Sequence, residues 1–299
     1  MKYSTPKETA YQKNFLEIEV DHYDLRRREF LRAMEIFPPN MRKKITDKTI
    51  VLRDLDLCIN SICSLNCPHC VFLQPHIKNV RNFDAEMIVE EMDRLLGANV
   101  YVTSLAILGG EPLLHPNIVE IIDRVAAMKH IGHAARVVVI TNGTVVPDKS
   151  FCESIKGLPN GSVIVNDFPL SDKVDEITAL FQSNGVKHRV ANKDWTNHGS
   201  ISELHGYSDT ELKHLHFVCE AVSMLRDGLF SNCGRSVVAY QEGFIPYDAA
   251  DFVDIRNFQA SSEELNKRLY DHLYRHKWNT SCKYCRGNYE GNEVLPMGG

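Results

Sequence analysis

Apolar and polar positions along the middle of the chain follow two alternating periods, which predicts strands and helices in turn. Short, nearly continuous apolar runs favour buried strands, and apolar residues three and four positions apart favour helices. The predicted strands are residues 49–58, 101–108, 136–141, 162–166 and 186–191. The predicted helices are residues 84–96, 117–129, 149–157 and 172–183. Regular alternation of this kind is typical of a parallel sheet with helices outside it.

The number of predicted strands limits the architecture. Five or six strands are fewer than the eight of a closed (β/α)8 barrel. We therefore predict an α/β fold with a partial, TIM-like (β/α)6 barrel that stays open. Functional side chains in such barrels lie at the carboxyl ends of the strands. Cys63, Gly109, Asn142 and Asp167 all follow predicted strands.

The beginning of the chain differs from this alternation. The charged stretch Glu17–Arg32 carries apolar residues at helical spacing, and Pro38-Pro39 ends the pattern. Residues 1–48 are therefore predicted to form an N-terminal helical extension. The extension either packs on the main domain through its apolar stripe or serves as a lid or docking arm.

The end of the chain also has a pattern of its own. Asp227-Gly228 lies between apolar runs and predicts a two-residue hairpin. Ser261 and Glu264 predict a capping box for a helix that runs to about His276. We divide the chain into the extension (1–48), a core (49–215) and a small C-terminal domain (216–299).

The overall composition argues against several classes of protein. The 299 residues include 34 Lys and Arg and 39 Asp and Glu, a formal charge of -5, which gives no support for a nucleic-acid surface. No run of eighteen apolar residues and no apolar signal region is present. Nine cysteines in such a sequence favour a reducing cytoplasm and metal ligation over a disulfide framework. We expect a cytoplasmic protein with no nucleic-acid or membrane partner.

Three cysteines stand close together after the first predicted strand. Cys63, Cys67 and Cys70 are spaced by three and then two intervening residues. Three thiolates can hold three irons of a [4Fe-4S] cluster, and one iron then stays open to a non-protein ligand. The alternative is a zinc site completed by His69, although zinc sites usually pair cysteines at separated places. The spacing favours the iron–sulfur interpretation.

Two further turns follow the next two predicted strands. Gly109-Gly110-Glu111-Pro112 follows residues 101–108, and Asn142-Gly143-Thr144 follows residues 136–141. The two glycines allow a ligand to approach the backbone closely, and the glutamate can accept from an ammonium group. With the cysteine loop, these turns stand in the order and spacing of the radical S-adenosylmethionine (radical SAM) enzymes. The chain resembles that family over roughly residues 49–195.

The resemblance implies cofactors, a partner and a set of ligand-binding residues. SAM would chelate the open iron, and its reductive cleavage would give methionine and a 5′-deoxyadenosyl radical. A reductant such as flavodoxin or ferredoxin would supply the electron. The residues that would contact SAM are His69 beside the adenine, Gly109, Gly110 and Glu111 at the methionine ammonium, and Asn142 at the ribose or methionyl end. Asn166 is a further candidate for cofactor binding.

Four more cysteines lie in the C-terminal region: Cys219, Cys233, Cys282 and Cys285. Four thiolates suit a second [4Fe-4S] cluster or a structural zinc ion. Their arrangement around the hairpin resembles the shortened auxiliary-cluster domain, called twitch and related to SPASM domains, of some radical SAM enzymes. One of these is the aminocyclitol dehydrogenase of butirosin biosynthesis. Cys58 and Cys152 remain, and we expect both to be buried as small apolar groups.

Arg189 and Asp167 are the candidate catalytic residues. Arg189 offers a rigid fork of donors on a predicted strand, although an arginine in a strand can also face solvent. Asn166, Asp167 and Trp195 are expected near it. One of four histidines could accept a proton: His198, His205, His214 or His216.

Together, these patterns and the resemblance predict a radical SAM oxidoreductase acting on a small molecule of the carbohydrate or aminocyclitol type. Net two-electron oxidation is expected, with the hairpin over the barrel mouth and the second cluster beside the substrate. The alternatives are a peptide-modifying maturase, a sugar epimerase, and an iron–sulfur or zinc protein without radical chemistry.

Overall fold

The structure, a computed structural model, describes residues 35–46, 48–191, 195–275, 277–288 and 293–295. The helix predicted over Glu17–Arg32 lies outside these residues. The strands are β1 (Ile50–Cys58), β2 (Val100–Leu108), β3 (Val137–Thr141), β4 (Ser162–Asn166), β5 (His188–Ala191), β6 (Trp195–Thr196), β7 (Ser223–Arg226), β8 (Leu229–Ser231), β9 (Val253–Asp254) and β10 (Val294–Leu295). The helices are α1 (Pro39–Arg42), α2 (Ala85–Gly97), α3 (Ile118–Ala126), α4 (Lys149–Gly157), α5 (Val174–Ser183), α6 (Asp209–Val218), α7 (Gly234–Gln241) and α8 (Ser262–Arg275).

One mostly parallel sheet carries the fold. Its strand order is β5-β4-β3-β2-β1-β7-β8-β9. Strands β1 to β5 pair in parallel, and β7 joins the other side of β1, also in parallel. Strands β8 and β9 extend the sheet in antiparallel fashion. Within the described residues β5 and β9 are the two outer strands, so the sheet is open, which confirms the predicted partial barrel.

The predicted elements form for the expected physical reasons. All nine residues of β2 are buried, as the continuous apolar run requires of a central strand. Asp84 caps α2, because its side chain accepts a hydrogen bond from the backbone N–H of Met87 at 3.0 Å. Cys58 and Cys152 are both buried, as predicted. No helix of the described ranges is long and apolar enough to cross a membrane.

The C-terminal hairpin forms where it was predicted, and it belongs to the main sheet. Asp227 and Gly228 both have positive φ angles, 44° and 86°, as a tight hairpin turn between paired strands requires. Asp227 pairs with Arg81 at 3.0 Å and with Arg256 at 2.7 Å. Arg256 also pairs with Glu91 of α2 at 2.5 Å. These ion pairs fix the turn of the hairpin near the carboxyl end of β1.

Two helices of this region were not predicted from the sequence. A capping box between Ser208 and Glu211 begins α6. Helix α7 follows Cys233 directly, and six of its eight residues are buried. The structure therefore covers the hairpin with a helix that the hydrophobic pattern did not reveal.

Candidate functional site

The first three cysteines lie on the loop that leaves the carboxyl end of β1, and we call them the first cysteine set. Cys63, Cys67 and Cys70 are each partly exposed. The backbone N–H of Leu65 donates to Cys63 Sγ at 3.4 Å, and the N–H of Cys70 donates to the carbonyl of Cys67 at 3.1 Å. Burial raises the pKa of the Cys63 thiol to about 11. These thiols therefore stay protonated until a cation or metal cluster compensates the thiolate charge.

The glycine turn after β2 packs directly on the cysteine loop. Gly110 N–H donates to the carbonyl of Asn60 at 3.1 Å, and Glu111 N–H donates to that of Ile62 at 2.7 Å. A Cβ on Gly110 would lie 2.4 Å from the Ile62 oxygen and 2.9 Å from Cys63 Cβ. The close approach requires glycine and joins the two turns into one surface.

The asparagine turn after β3 completes this surface. Asn142 Nδ2 lies 3.6 Å from Cys63 Sγ and 3.0 Å from Ser64 Oγ. Thr144 Oγ1 contacts the same Ser64 hydroxyl. The three turns that follow β1, β2 and β3 thus meet at one carboxyl edge of the sheet, as the sequence predicted for a parallel fold.

Glu111 is fully buried, and its carboxylate joins the second turn to the third. Its oxygens accept from the Asn142 backbone N–H at 2.7 Å, from Thr141 Oγ1 at 2.8 Å and from the Leu113 backbone N–H at 3.0 Å. Burial raises the pKa of this carboxyl to about 7, although the three hydrogen bonds act in the opposite direction. The sequence predicts that Glu111 binds the ammonium group of SAM. Its three hydrogen bonds show that this carboxylate also stabilises the fold around the two turns.

We expect Glu111→Gln to lower the free energy of unfolding by about 1–3 kcal/mol, because either amide orientation leaves one buried N–H without its acceptor. Urea denaturation measures this change, and SAM affinity should weaken with it. Glu153→Gln is the matched control, since Glu153 lies on the surface in an exposed pair with Lys156. Weaker SAM binding at unchanged stability would instead restrict Glu111 to the methionine ammonium.

The remaining candidates for this edge are spread along β4 and β5. Asn166 ends β4, and its Oδ1 is buried with no hydrogen-bond partner among the described residues. Asp167 follows, and its backbone N–H donates to the carbonyl of Ala191 at 3.0 Å. His69 is exposed on the cysteine loop. The orphaned oxygen of Asn166 is the kind of group that a bound ligand satisfies.

Arg189 lies lower on the sheet than the other candidates. It pairs in register with Ile164, two residues before the end of β4, so it stands roughly 7 Å below the carboxyl edge. Its side chain is exposed and lines a cavity of about 180 Å³ together with Arg136, Ser162 and Lys187. The alternation of β4 places Arg189 on the same face of the sheet as Asn166.

The second cysteine set consists of Cys219, Cys233, Cys282 and Cys285. All four line one cavity of about 210 Å³. Burial raises the pKa of Cys219 to about 12 and that of Cys233 to about 11, and neighbouring thiols of the set add to both shifts. Backbone N–H groups of Asn288 and Gly287 donate to the sulfurs of Cys219 and Cys285, each at 3.3 Å. Clustered sulfurs that receive N–H donors are typical of thiolate-ligated iron.

The two cysteine sets lie toward opposite ends of β1. The second cavity is lined by residues 51–54 at the beginning of this strand, whereas the first set follows its end at Cys58. Three residues lie between Asp54 and Cys58, and these four steps along the strand span roughly 13 Å. The expectation that the hairpin covers the barrel mouth and brings the second cluster near the substrate stays a prediction. The turn lies at the carboxyl edge, and Cys219 and Cys233 lie beyond the opposite end of the hairpin.

A chain of polar side chains supports Cys282. Asn279 Nδ2 donates to Asn232 Oδ1 at 2.7 Å, and Asn232 Nδ2 donates to His216 Nε2 at 3.2 Å. His216 Nδ1 then lies 4.0 Å from Cys282 Sγ and is the ring nitrogen left to donate. Sequence reasoning named His216 only as a general proton acceptor. The three-residue separation of His216 from Cys219, one turn of α6, was the available signal.

The donor chemistry of both cysteine sets fits iron–sulfur clusters. Cysteine thiolates are the usual cluster ligands, and the two sets offer three and four of them. In the described part of the chain, no three His, Cys, Asp or Glu side chains converge on the position of one metal ion. Thiolates of a cluster bind separate irons and are spread around it. The 210 Å³ cavity and the N–H donors to sulfur provide such a setting.

Residues 57–168 match the family profile described as the Radical SAM superfamily. This segment contains the cysteine loop, the glycine turn and the asparagine turn, so the chain carries a radical SAM superfamily domain. No curated protein sequence matches the chain.

Several solved structures are similar to the chain at low identity. Streptococcus suis SuiB bound to S-adenosylmethionine is 18% identical over 55% of this chain, with a TM-score of 0.34, and the match spans only 35% of the SuiB chain. anSMEcpe with bound AdoMet is 14% identical over 81% of this chain and 92% of its own, with a TM-score of 0.49. BtrN in complex with AdoMet and 2-DOIA is 16% identical over 83% of this chain and 100% of its own, with a TM-score of 0.48.

Proposed function

We propose that this radical SAM domain cleaves SAM at the first cysteine set and oxidises a small carbohydrate-type substrate by two electrons, with a second cluster at the other set. The observation that carries the proposal is the meeting of three turns at one carboxyl edge within the matched residues. There Asn142 lies 3.6 Å from Cys63 and the glycine turn packs on the cysteine loop.

The residues of this edge would hold the cofactors. Cys63, Cys67 and Cys70 would ligate three irons, and the backbone at Gly109 and Gly110 would contact the methionyl part of SAM. When bound, the cluster and SAM supply a 5′-deoxyadenosyl radical for hydrogen abstraction, and a second cluster supplies an electron acceptor.

The chain itself would contribute orientation and charge. Glu111 keeps the second and third turns together, so that both face the cysteine loop. Asn166, with its unpartnered Oδ1, would accept a hydrogen bond from a bound hydroxyl group. Asp167 would extend this edge toward the substrate. A hydroxyl-bearing carbon that loses a hydrogen atom, a proton and one electron becomes a ketone, which is the proposed net oxidation.

Product analysis under anaerobic conditions tests the proposal. The reconstituted protein is incubated with SAM, a flavodoxin or chemical reductant, and candidate sugars. We expect one 5′-deoxyadenosine for each molecule of oxidised product. An epimerised product without net oxidation would replace the dehydrogenase assignment by the epimerase alternative. Absence of SAM cleavage would remove the proposal altogether.

Arg189→Lys tests the first substrate-binding candidate. We expect product formation to fall roughly a hundredfold, because a small displacement of the reacting C–H group has an effect of that size. Iron content and uncoupled SAM cleavage should persist. Arg275→Lys is the control, since Arg275 is exposed on α8 in a pair with Asp271. Near-normal turnover in Arg189→Lys would show that Arg189 is a surface residue.

A further inference from the structure

The first turn of α7 carries an arginine that is buried without an ion-pair partner among the described residues. Arg235 is only 4% exposed. Its Nη2 donates to the carbonyl of Gly199 at 2.9 Å, and its Nε has no hydrogen-bond partner in that part of the chain. A buried guanidinium is costly to a fold unless an anion compensates its charge. Thiolate-ligated clusters at the neighbouring cysteine sets would compensate part of this charge, and the unpartnered Nε–H still needs an acceptor of its own, which points to a further bound negative group.

Two histidine nitrogens near Gly199 are buried and unpartnered as well. His198 precedes Gly199, and its Nδ1 has no partner among the described residues. The same is true of His205 Nε2, which lies so close to Gly199 that a Cβ there would be 3.1 Å from it. Arg235 and His205 thus reach Gly199, and His198 directly precedes it; we call these three residues the Arg235 site.

The two histidines are neutral hydrogen-bond acceptors at these nitrogens. Burial, followed by the charge of Arg235, lowers the pKa of His198 to about 4, and burial also lowers the pKa of His205. Hydrogen bonds to the backbone of Thr196 and of Tyr284 act in the opposite direction, so the ring nitrogen in each bond is the donor. The other nitrogen of each neutral ring then carries a lone pair.

The Arg235 site lies between the two cysteine sets. Arg235 follows Cys233 of the second set by two residues, and the backbone N–H of His205 donates to the carbonyl of Lys283, which lies between Cys282 and Cys285, at 3.0 Å. A Cβ on the neighbouring Gly234 would lie 2.9 Å from the ring of Phe72, which belongs to the first cysteine loop. A substrate held here would be within reach of both sets.

We propose that Arg235, His198 and His205 bind the substrate, and that the substrate is a hydroxylated anion, a sugar with a carboxylate or phosphate group. The assignment rests on the proposed function and narrows its substrate class. Arg235 Nε–H would donate to an anionic oxygen, and two sugar hydroxyls would donate to the histidines. Iron–sulfur clusters offer no donor hydrogens, so a cluster alone leaves both histidines unpartnered. A cationic aminocyclitol would be repelled by Arg235.

Binding measurements on the reconstituted protein test this assignment without turnover. Isothermal titration with SAM and without reductant compares D-glucuronate, D-glucose 6-phosphate, D-glucose and D-glucosamine. We expect one of the two acids to bind roughly ten- to a hundredfold more tightly than glucose, as one charge-assisted hydrogen bond provides. The two acids distinguish a carboxylate from a phosphate. Equal affinity for the acids and for glucose in the wild-type protein would overturn the assignment.

Variants identify the residues responsible. Arg235→Gln should remove the preference for the acid, Arg235→Lys should retain part of it, and Arg275→Gln on the surface should leave it unchanged. His205→Phe should weaken binding of the sugar acid roughly two- to tenfold and leave acetate, which has no hydroxyl group, unaffected. An acid preference that survives in Arg235→Gln would also overturn the assignment.

Iron content and SAM cleavage separate this inference from the proposed function. Arg235→Gln is interpreted only if it keeps its irons. If it loses them, the affinities for the sugar acids and for glucose are compared instead in Arg235→Lys and His205→Phe, provided that these variants hold the full iron content. A wild-type protein that cleaves SAM but binds acids no better than glucose would refute the Arg235 site alone. A wild-type protein that does not cleave SAM would refute the proposed function, whatever it binds.

Discussion

Replacing Cys63, Cys67 and Cys70 together by alanine should abolish SAM cleavage, the largest effect we expect of any change in this chain. After anaerobic reconstitution the wild-type protein should hold about eight irons in two clusters, and the triple variant about four. The three thiols occupy one loop after β1, and the neighbouring Cys58 is buried at the end of that strand. Iron analysis and the formation of 5′-deoxyadenosine measure the two losses.

Cys152→Ala is the matched control for the triple variant. Cys152 is fully buried on α4, away from both cysteine sets, so its replacement should leave iron content and SAM cleavage unchanged. If the triple variant still produced 5′-deoxyadenosine, the first set would not be the site of cleavage. If it lost all eight irons, the two sets would depend on each other for folding, and the sites could not be assigned separately from this variant.

The first site was predictable from the sequence because each of its parts directly follows a strand. Parallel strands end at one edge, so turns after β1, β2 and β3 must meet once the strands are recognised. The apolar runs of these strands are clear, and the structure changes their limits by one residue. Once the order of the strands is known, it is enough to predict that Cys63, Gly110 and Asn142 lie close together.

The role of Glu111 could not be derived in the same way. Its hydrogen-bond donors include Thr141 and Asn142, thirty residues further along the chain. An acidic residue in a glycine turn is normally expected to be solvated or ligand-bound. Only the packing of the second turn against the third reveals that this carboxylate is completely buried and holds both.

The position of the second cysteine set depends on a strand pairing that the sequence does not specify. Strand β7 pairs in parallel with β1, although more than 160 residues separate them. That register places Cys219 and Cys233 beyond the beginning of β7 and the end of β8, toward the amino end of β1. The hairpin signal at Asp227-Gly228 identified the turn, and it contained no information about which neighbour the hairpin would join.

Arg235 was overlooked for a related reason. A single arginine after a cysteine is usually solvated, and nothing in the sequence around it predicts burial. Its burial follows from the packing of α7, and its unpartnered Nε follows from the path of residues 198–205. Buried polar atoms without partners exist only in the folded chain, so the sequence could not reveal them. Such an atom lies at Arg235, in the buried region between the cysteine sets, and not at Arg189 on the exposed strand β5.

Replacing Cys282 and Cys285 together by alanine should abolish net substrate oxidation while SAM cleavage continues. The variant should hold about four irons, because the two remaining cysteines of the second set cannot retain a cluster that needs four thiolates. Removal of a hydrogen atom leaves one unpaired electron on the substrate carbon, and a ketone forms only when that electron departs. Without an acceptor at the second set, 5′-deoxyadenosine should accumulate without the matching product.

Metal analysis of the wild-type protein decides whether the second cysteine set holds an iron–sulfur cluster or a zinc ion. Four irons and one zinc would mean that the second set binds a structural ion, which cannot take up an electron. In that case the double variant would be less stable overall, instead of losing substrate oxidation alone. Its urea denaturation midpoint and its SAM cleavage would then fall together. With eight irons in the wild type, persistent SAM cleavage and absent product in the variant assign electron uptake to the cavity of Cys219, Cys233, Cys282 and Cys285. The opposite result, full product formation with four irons, would require that the electron leave by another route and would contradict an oxidative role for this set.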